Sequence, residues 1–453
     1  MSEDAVSIIM AGASLVSLGI LIAALDRARI RRDLDASTAL TLGMGIAGSL
    51  PVAIVAIAGG VVRRPDAVGQ LATFYPSWYT PADTISKLLL LVLVSVLLLG
   101  RLLARRVVVH AAGLSAIGLW TSVQLGSLSH GGARPTMSSV ALLACLIAAT
   151  VVPLGRGACL GAGTFGIVLA IAGGLLGLFR HDVAFIVPCR GACSGLGFTG
   201  VLPNENLLGV SLAAAMPFVY LGFRGRTRAW FVLYLAGMAA ATGSRTAIVA
   251  SLITLVALLV IRPSIDTDLL GPFRKALAWV VLLGAVTSSI VVLRLTGYST
   301  ALTGRPQLWD VASSYIHRSP WIGWGPTWWQ GLYASSEIPE AAQRSSHNVW
   351  MDVLFVGGVV GAVFFLGSLI AVITSAGRAR TGAIVGIATI FMIGTTEGVW
   401  AVGTFDFASF SFIALLLLGA GTARPYEYRP LDASRVRQDP SSERRLAYPR
   451  AQV

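Results

Sequence analysis

The chain has 453 residues, 55% of them apolar and only 12% charged, with a formal net charge of +13. Apolar runs of about 20 residues, the length that spans a hydrocarbon core, recur from end to end. A soluble core of this size needs charged helix faces every few residues, so the composition excludes a soluble enzyme and leaves an all-α polytopic membrane protein.

In chain order, spans are expected at about 6–25, 37–62, 85–103, 107–125, 138–154, 160–179, 204–222, 228–243, 246–261, 276–294, 349–374, 381–396 and 407–421, or some 12–13 transmembrane helices. The first run follows Glu3 and Asp4 rather than a basic segment, which reads as a retained span and not a cleavable signal. The run from Ile85 to Gly100 carries a single basic residue, Lys87. With alternating spans, Arg27, Arg29, Arg31, Arg32, the Arg105-Arg106 pair, Arg224, Arg226, Arg228, Arg378, Arg380 and the Arg-rich tail share one side, which the positive-inside rule makes cytoplasmic; Arg63 and Arg64 are the exception. The N-terminus, the 63–84 and 180–203 loops, Arg245 and the 295–348 segment then lie outside. The excess positive charge reads as attraction to anionic membrane lipid, with no nucleic-acid partner.

The chain thus divides into N-terminal transmembrane helices (1–203), further membrane helices with a hairpin at Arg245 (204–294), an extracytoplasmic segment (295–348), C-terminal transmembrane helices (349–421) and a cytoplasmic tail (422–453). The tail is rich in Pro, Arg and Ser and poor in large apolar residues, so it is expected to be disordered. No fixed-period repeat and no duplicated pair of broken spans is visible, which weighs against an inverted-repeat transporter.

Cys145 and Cys159 read as small packing residues in or beside spans. Cys189 and Cys193 fall in an expected external loop, where a short disulfide and two free thiols both remain open. The stretch from Trp230 to Ile261, as one helix, would run roughly 50 Å and overshoot a core of about 30 Å. It is expected to fold back at Thr242-Gly243-Ser244-Arg245-Thr246, placing Arg245 at an outer turn, either snorkelling to lipid phosphate or serving a site. Asp266-Thr267-Asp268 reads as a solvated acidic loop rather than a nucleotide-sugar site.

The outer segment is polar and Trp-rich. Leu308, Val311, Ala312 and Tyr315 recur at three- and four-residue spacing, predicting an amphipathic helix from Arg305. The cluster Pro320-Trp321-Ile322-Gly323-Trp324-Gly325-Pro326 with Trp328-Trp329 fits an interfacial belt or a wall for sugar or lipid. His347 is expected at the first turn of the next span, capped by Ser346 or Asn348, as an imidazole able to accept a proton. Glu397 and Asp406 flank the last outer turn, where pairing with an arginine, binding of sugar hydroxyls and plain hydration all stay open.

Taken together, Thr-Gly-Ser-Arg-Thr at an outer hairpin, Gly304-Arg305 followed by Ile-His-Arg-Ser-Pro-Trp-Ile-Gly-Trp-Gly-Pro, and Ser-His-Asn-Val-Trp before a Gly-rich span resemble the O-antigen ligase/polymerase superfamily. The resemblance runs from about Leu202 to Leu366, and Asn204-Glu205-Asn206 looks like the family's Asn-rich entry to a span. It implies a GT-C-like all-helical glycosyltransferase in the cytoplasmic membrane, inverting and independent of metals and cofactors. The donor it implies is a glycan on undecaprenyl diphosphate, and the acceptor is a hydroxyl of a glycan, lipid or protein on the outer face. By the resemblance, Arg245 and Arg305 hold the diphosphate and His347 is the general base, while Asn348, Trp324 and Asn206 are candidate substrate-binding residues. The Arg-rich, Lys-poor composition suggests a high-GC genome, and in an actinobacterium no lipopolysaccharide core would receive an O-antigen. Polymerisation of a cell-surface polysaccharide is therefore favoured, with ligation of the finished glycan as the alternative and a lipid-linked glycan flippase or transporter as the reading from another class.

Overall fold

Inside a hydrocarbon layer no water is present to bond backbone N–H and C=O groups, so a chain this apolar is driven into helices that satisfy their own ladders. The computed structural model describes residues 3–58, 62–65, 71–104, 109–132, 135–152, 156–186, 197–265, 271–294, 305–335, 337–338, 345–399, 402–406 and 408–419. The described helices are α1 (Glu3–Ile30), α2 (Ala36–Ile57), α3 (Tyr79–Leu103), α4 (Ala111–Ser129), α5 (Met137–Val151), α6 (Arg156–Phe179), α7 (His181–Ala184), α8 (Glu205–Gly222), α9 (Gly225–Ala241), α10 (Arg245–Ile261), α11 (Pro272–Val291), α12 (Arg305–Arg318), α13 (Trp328–Ala334), α14 (Val349–Ser375), α15 (Arg380–Ile393) and α16 (Ser409–Gly419). Two antiparallel ribbons, β1 (Val62–Pro65) with β2 (Leu71–Phe74) and β3 (Phe185–Ile186) with β4 (Gly197–Phe198), lie between helices.

Each span expected from the sequence falls on one of these helices. By length and composition, seven can cross a membrane: α1, α2, α3, α6, α8, α11 and α14. The apolar helices α5, α10 and α16 are shorter, at 15, 17 and 11 residues. The expected tail, the Cys189–Cys193 pair and Asp266-Thr267-Asp268 lie outside the described residues, while Cys145 and Cys159 are buried free thiols.

One face of α3 exposes Leu88, Leu89, Val92, Val96 and Leu99, and α10 likewise exposes Val249, Leu252, Val256 and Leu259. Such apolar stripes are costly against water and natural against lipid. The lone Lys87 of α3 is buried and pairs with Asp83 one turn earlier, which is how that helix keeps a charge. The interior is built around α6 and α8. Small residues let their backbones approach, as where a Cβ on Gly163 would stand 3.0 Å from the Val219 backbone.

The outer segment expected at 295–348 is folded over residues 305–335 into α12 and α13, and it docks on a break in α14. At Gly358 the backbone turns to φ 63°, ψ −164°, which opens the helical ladder. The Pro320–Gly325 stretch fills the opening: Trp324 and Gly325 N–H donate to the Phe355 and Val356 carbonyls (2.8 and 3.0 Å), and Val359 and Val360 N–H donate to the Pro320 and Trp321 carbonyls (2.8 and 3.1 Å). The break therefore leaves few orphan groups, and it fixes the Trp-rich cluster to a membrane helix. Gly358→Ala is expected to lower stability by about 1–3 kcal/mol or more, since only Gly takes that backbone conformation and a methyl would press on Trp321. Gly284→Ala in α11, where the methyl meets nothing within 4 Å, should be neutral or stabilising by up to about 1 kcal/mol. Thermal unfolding of the two variants in detergent compares them directly.

Candidate active site

The site forms where the α14 N-terminus meets the ends of α11 and α15. Asn348 is the α14 N-cap: its Oδ1 accepts from Trp350 and Met351 N–H (3.0 and 3.2 Å). Its Nδ2 donates to the carbonyls of Ser289 (2.9 Å) and Thr395 (3.1 Å), tying α14 to α11 and to the chain after α15. Asn348 is fully buried with both amide atoms doubly engaged, and it ties the residue before it to three segments of the bundle. Ser346 does not cap; its N–H and Oγ bond Asp352 Oδ1 (2.5 and 2.8 Å), while Ser345 Oγ donates to Asp352 Oδ2 (2.6 Å).

His347 stands one residue before the cap rather than in the first helical turn. Its φ is +60°, a left-handed conformation that a non-Gly residue holds only when its surroundings impose it. The imposing bonds are the Ser345–Ser346–Asp352 knot, the His347 N–H to Ser345 Oγ (2.9 Å) and the Trp309 Nε1 donation to the Ser346 carbonyl (2.9 Å). Turned this way, the His347 Nδ1 lies 3.1 Å from Glu397 Oε2.

Glu397 follows α15 and is 5% exposed, and its other oxygen bonds Arg305 Nη2 at the start of α12. Burial works to raise the Glu397 pKa, but the charge of Arg305 and the hydrogen bond and charge of His347 outweigh it, and the carboxyl is held below its ordinary range. An ionised carboxylate only accepts hydrogen bonds, so the Nδ1 of His347 is the donor toward Glu397. Sequence reasoning left Glu397 unassigned; the available signal was an acid in Thr395-Thr396-Glu397-Gly398, at the end of an apolar run on the same side as Arg305 and His347.

Arg245 opens α10 directly after the Ser244 cap and is exposed, with no ion-pair partner among the described residues. Its neighbour Thr246 shares a hydrogen bond of 2.7 Å with Thr396, the residue before Glu397, so Arg245 belongs to the same end of the bundle as the Arg305–Glu397–His347 group. Asn206 lies in the first turn of α8, whose cap is Asn204. One turn on, a Cβ at Gly209 would fall 2.6 Å from that of Ala247, so this end of α8 packs against the Arg245 turn.

Trp324 is placed elsewhere. Its ring packs at a tilt against His130 (4.1 Å between ring centroids) and Trp328 (4.7 Å), and its Nε1 donates to the Tyr315 carbonyl (2.7 Å). Tyr315 is ten residues, or about 15 Å, along α12 from Arg305. The aromatic cluster is thus a second feature of the same segment and not part of the ionic group. Asp406 caps the turn into α16, accepting from Ala408 N–H and Ser409 Oγ (3.0 and 2.8 Å).

Comparison with curated proteins and with solved structures gave no match. Residues 230–366 match the family model described as O-Antigen ligase, a stretch that takes in Arg245, Arg305, Trp324, His347 and Asn348 and leaves out Asn206 and Glu397. Over those residues the chain is similar to an O-antigen ligase domain, in a protein with helices long and apolar enough to cross a membrane.

Proposed function

We propose that the chain is a glycosyltransferase that moves a glycan from a polyprenyl diphosphate carrier to an acceptor hydroxyl on the outer face of the cytoplasmic membrane. The observation that carries this reading is the Glu397 carboxylate joining Arg305 to His347, with the exposed Arg245 at the same end of the bundle. In the reaction the acceptor O–H gives its proton to His347 Nε2 while the oxygen bonds to the anomeric carbon. The bond from that carbon to the diphosphate breaks, and its electron pair leaves on the carrier. Negative charge gathers on the leaving group, where Arg245 and the guanidinium donors of Arg305 not used by Glu397 stabilise it. Glu397 holds His347 in the tautomer that accepts the proton and stabilises the imidazolium that forms.

Polymerisation of a surface polysaccharide and ligation of a finished glycan make the same bond and differ in the acceptor. Composition favours the polymerase, and the family's description favours the ligase.

His347→Ala is expected to slow transfer by ~10²–10⁴-fold, and Arg245→Ala and Arg305→Ala to do so comparably, with the proteins still present in the membrane. The readout is the lipid-linked glycan pool at matched protein levels. Single units accumulate with loss of a polymerase, long chains with loss of a ligase; an unchanged pool in all three variants defeats the proposal.

A second expectation concerns acid. Because the folded-state pKa of Glu397 lies below the ordinary value, its ionised form stabilises the fold above the pKa of an unfolded Glu, and that contribution is lost as pH falls through the lowered folded pKa. Glu397→Gln should therefore flatten the acid side of both the Tm and the kcat profiles and lower kcat at every pH. A wild-type kcat and pH profile in Glu397→Gln is the result that excludes the positioning role.

A further inference from the structure

At the other end of the bundle a cavity of about 130 Å³ is lined by Arg156, Tyr220, Arg224, Arg228 and Ser264, among others. It lies at the C-terminal end of α8, more than 20 Å (about 1.5 Å per residue) along that helix from Asn206 in its first turn. Its basic residues come from two helix starts: Arg156 opens α6, and Arg224 occupies the cap position of α9. No side chain caps α9 from Arg224, and the turn is made by Gly225 at φ +59°, which leaves the first-turn amides facing outward along the axis. The Arg228 guanidinium is held over the Tyr220 ring, 4.5 Å from its centroid.

Among the described residues, acid is sparse around this cluster. Asp33 reaches Arg224 at 3.5 Å, a long contact between side chains 46% and 18% exposed, and it contributes little. Asp35, on the same turn, spends its Oδ1 on Ser37 and Thr38 at the start of α2 (2.9 and 3.1 Å to their N–H groups). Three guanidinium groups around a space equal to about four waters make a built receptor for one oxyanion.

We propose that this cavity binds a phosphate group, supplied either by the headgroup of an anionic lipid or by a soluble pyrophosphate. Planar guanidinium forks bond phosphate oxygens in pairs, and the open α9 terminus adds amides and a favourable dipole. The inference does not depend on the glycosyl transfer reading, since it concerns residues remote from His347 and its test uses no activity.

The test uses the full chain purified in detergent. Native mass spectrometry compares retention of phosphatidylglycerol with that of phosphatidylcholine, and thermal unfolding is followed with and without inorganic pyrophosphate. For a lipid source, phosphatidylglycerol is retained over phosphatidylcholine by the wild type and held about tenfold more weakly by R156Q/R228Q. For a soluble source, pyrophosphate raises the Tm of the wild type and not of that variant. If R156Q/R228Q fails to fold, R156K and R228K keep the charge and lose the fork, and each should weaken the same binding about threefold or more. Equal binding of both probes by wild type and variants, or no binding by either, overturns the proposal.

Discussion

Every backbone group within lipid must find a partner inside the protein, and the architecture follows from how the chain meets this demand where its helices stop. Along a helix the ladder meets it automatically. At an end or a break something else must serve, and those places are where the informative residues collect. The Gly358 break in α14 is closed by the Pro320–Gly325 backbone, the α14 start is closed by Asn348, and the α9–α10 turn is closed by Ser244. Each closure fixes a polar segment onto a membrane helix with the precision of a hydrogen bond.

The ionic group stands on such a closure. Asn348 spends all its bonding capacity on α11, α14 and the chain after α15, and Asp352 spends its own on Ser345 and Ser346. This leaves His347 in a left-handed conformation costing of order 1–3 kcal/mol, held by bonds on both sides. Glu397 is likewise a buried charge that only its two cationic or hydrogen-bonding partners make tolerable; removing one partner of such a pair costs about 3–5 kcal/mol. Under the proposed reaction, stability and reactivity share residues here, so loss of activity in this group must always be read beside the amount of folded protein.

Much of the fold was legible because apolar length and helical period are local properties. The thirteen expected spans each correspond to a helix, α12 follows from the spacing of Leu308, Ala312 and Tyr315, and Asn348 reads as a cap from its place before an apolar run. The rest depends on distant pairing. Glu397 lies 50 residues from His347 and 92 from Arg305, and no local pattern announces that one carboxylate serves both. The docking of Pro320–Gly325 into α14 is a backbone event between segments that each look complete, with Gly357-Gly358 as its only trace. His347 was expected inside the helix because a cap one residue later and a cap one residue earlier leave the same sequence signature; the positive φ that separates them is set by tertiary bonds.

Trp324 marks the remaining division. It is fixed to Tyr315 and His130 and lies three turns of α12 away from Arg305, so the segment that begins with the arginine paired to Glu397 ends in an aromatic cluster. A diphosphate and a proton acceptor suffice for the bond-making step under either reading of the function, because polymerase and ligase share donor and leaving group. What distinguishes them is the molecule that presents the hydroxyl. Beyond the end of α12 the half-buried rings of Trp324 and Trp328 and the exposed Trp321 offer the apolar faces that sugar rings and lipid both favour. Under the proposed function, changes there should alter which acceptor is used while leaving the handling of the carrier diphosphate intact, which would separate the choice of acceptor from the chemistry proposed at His347.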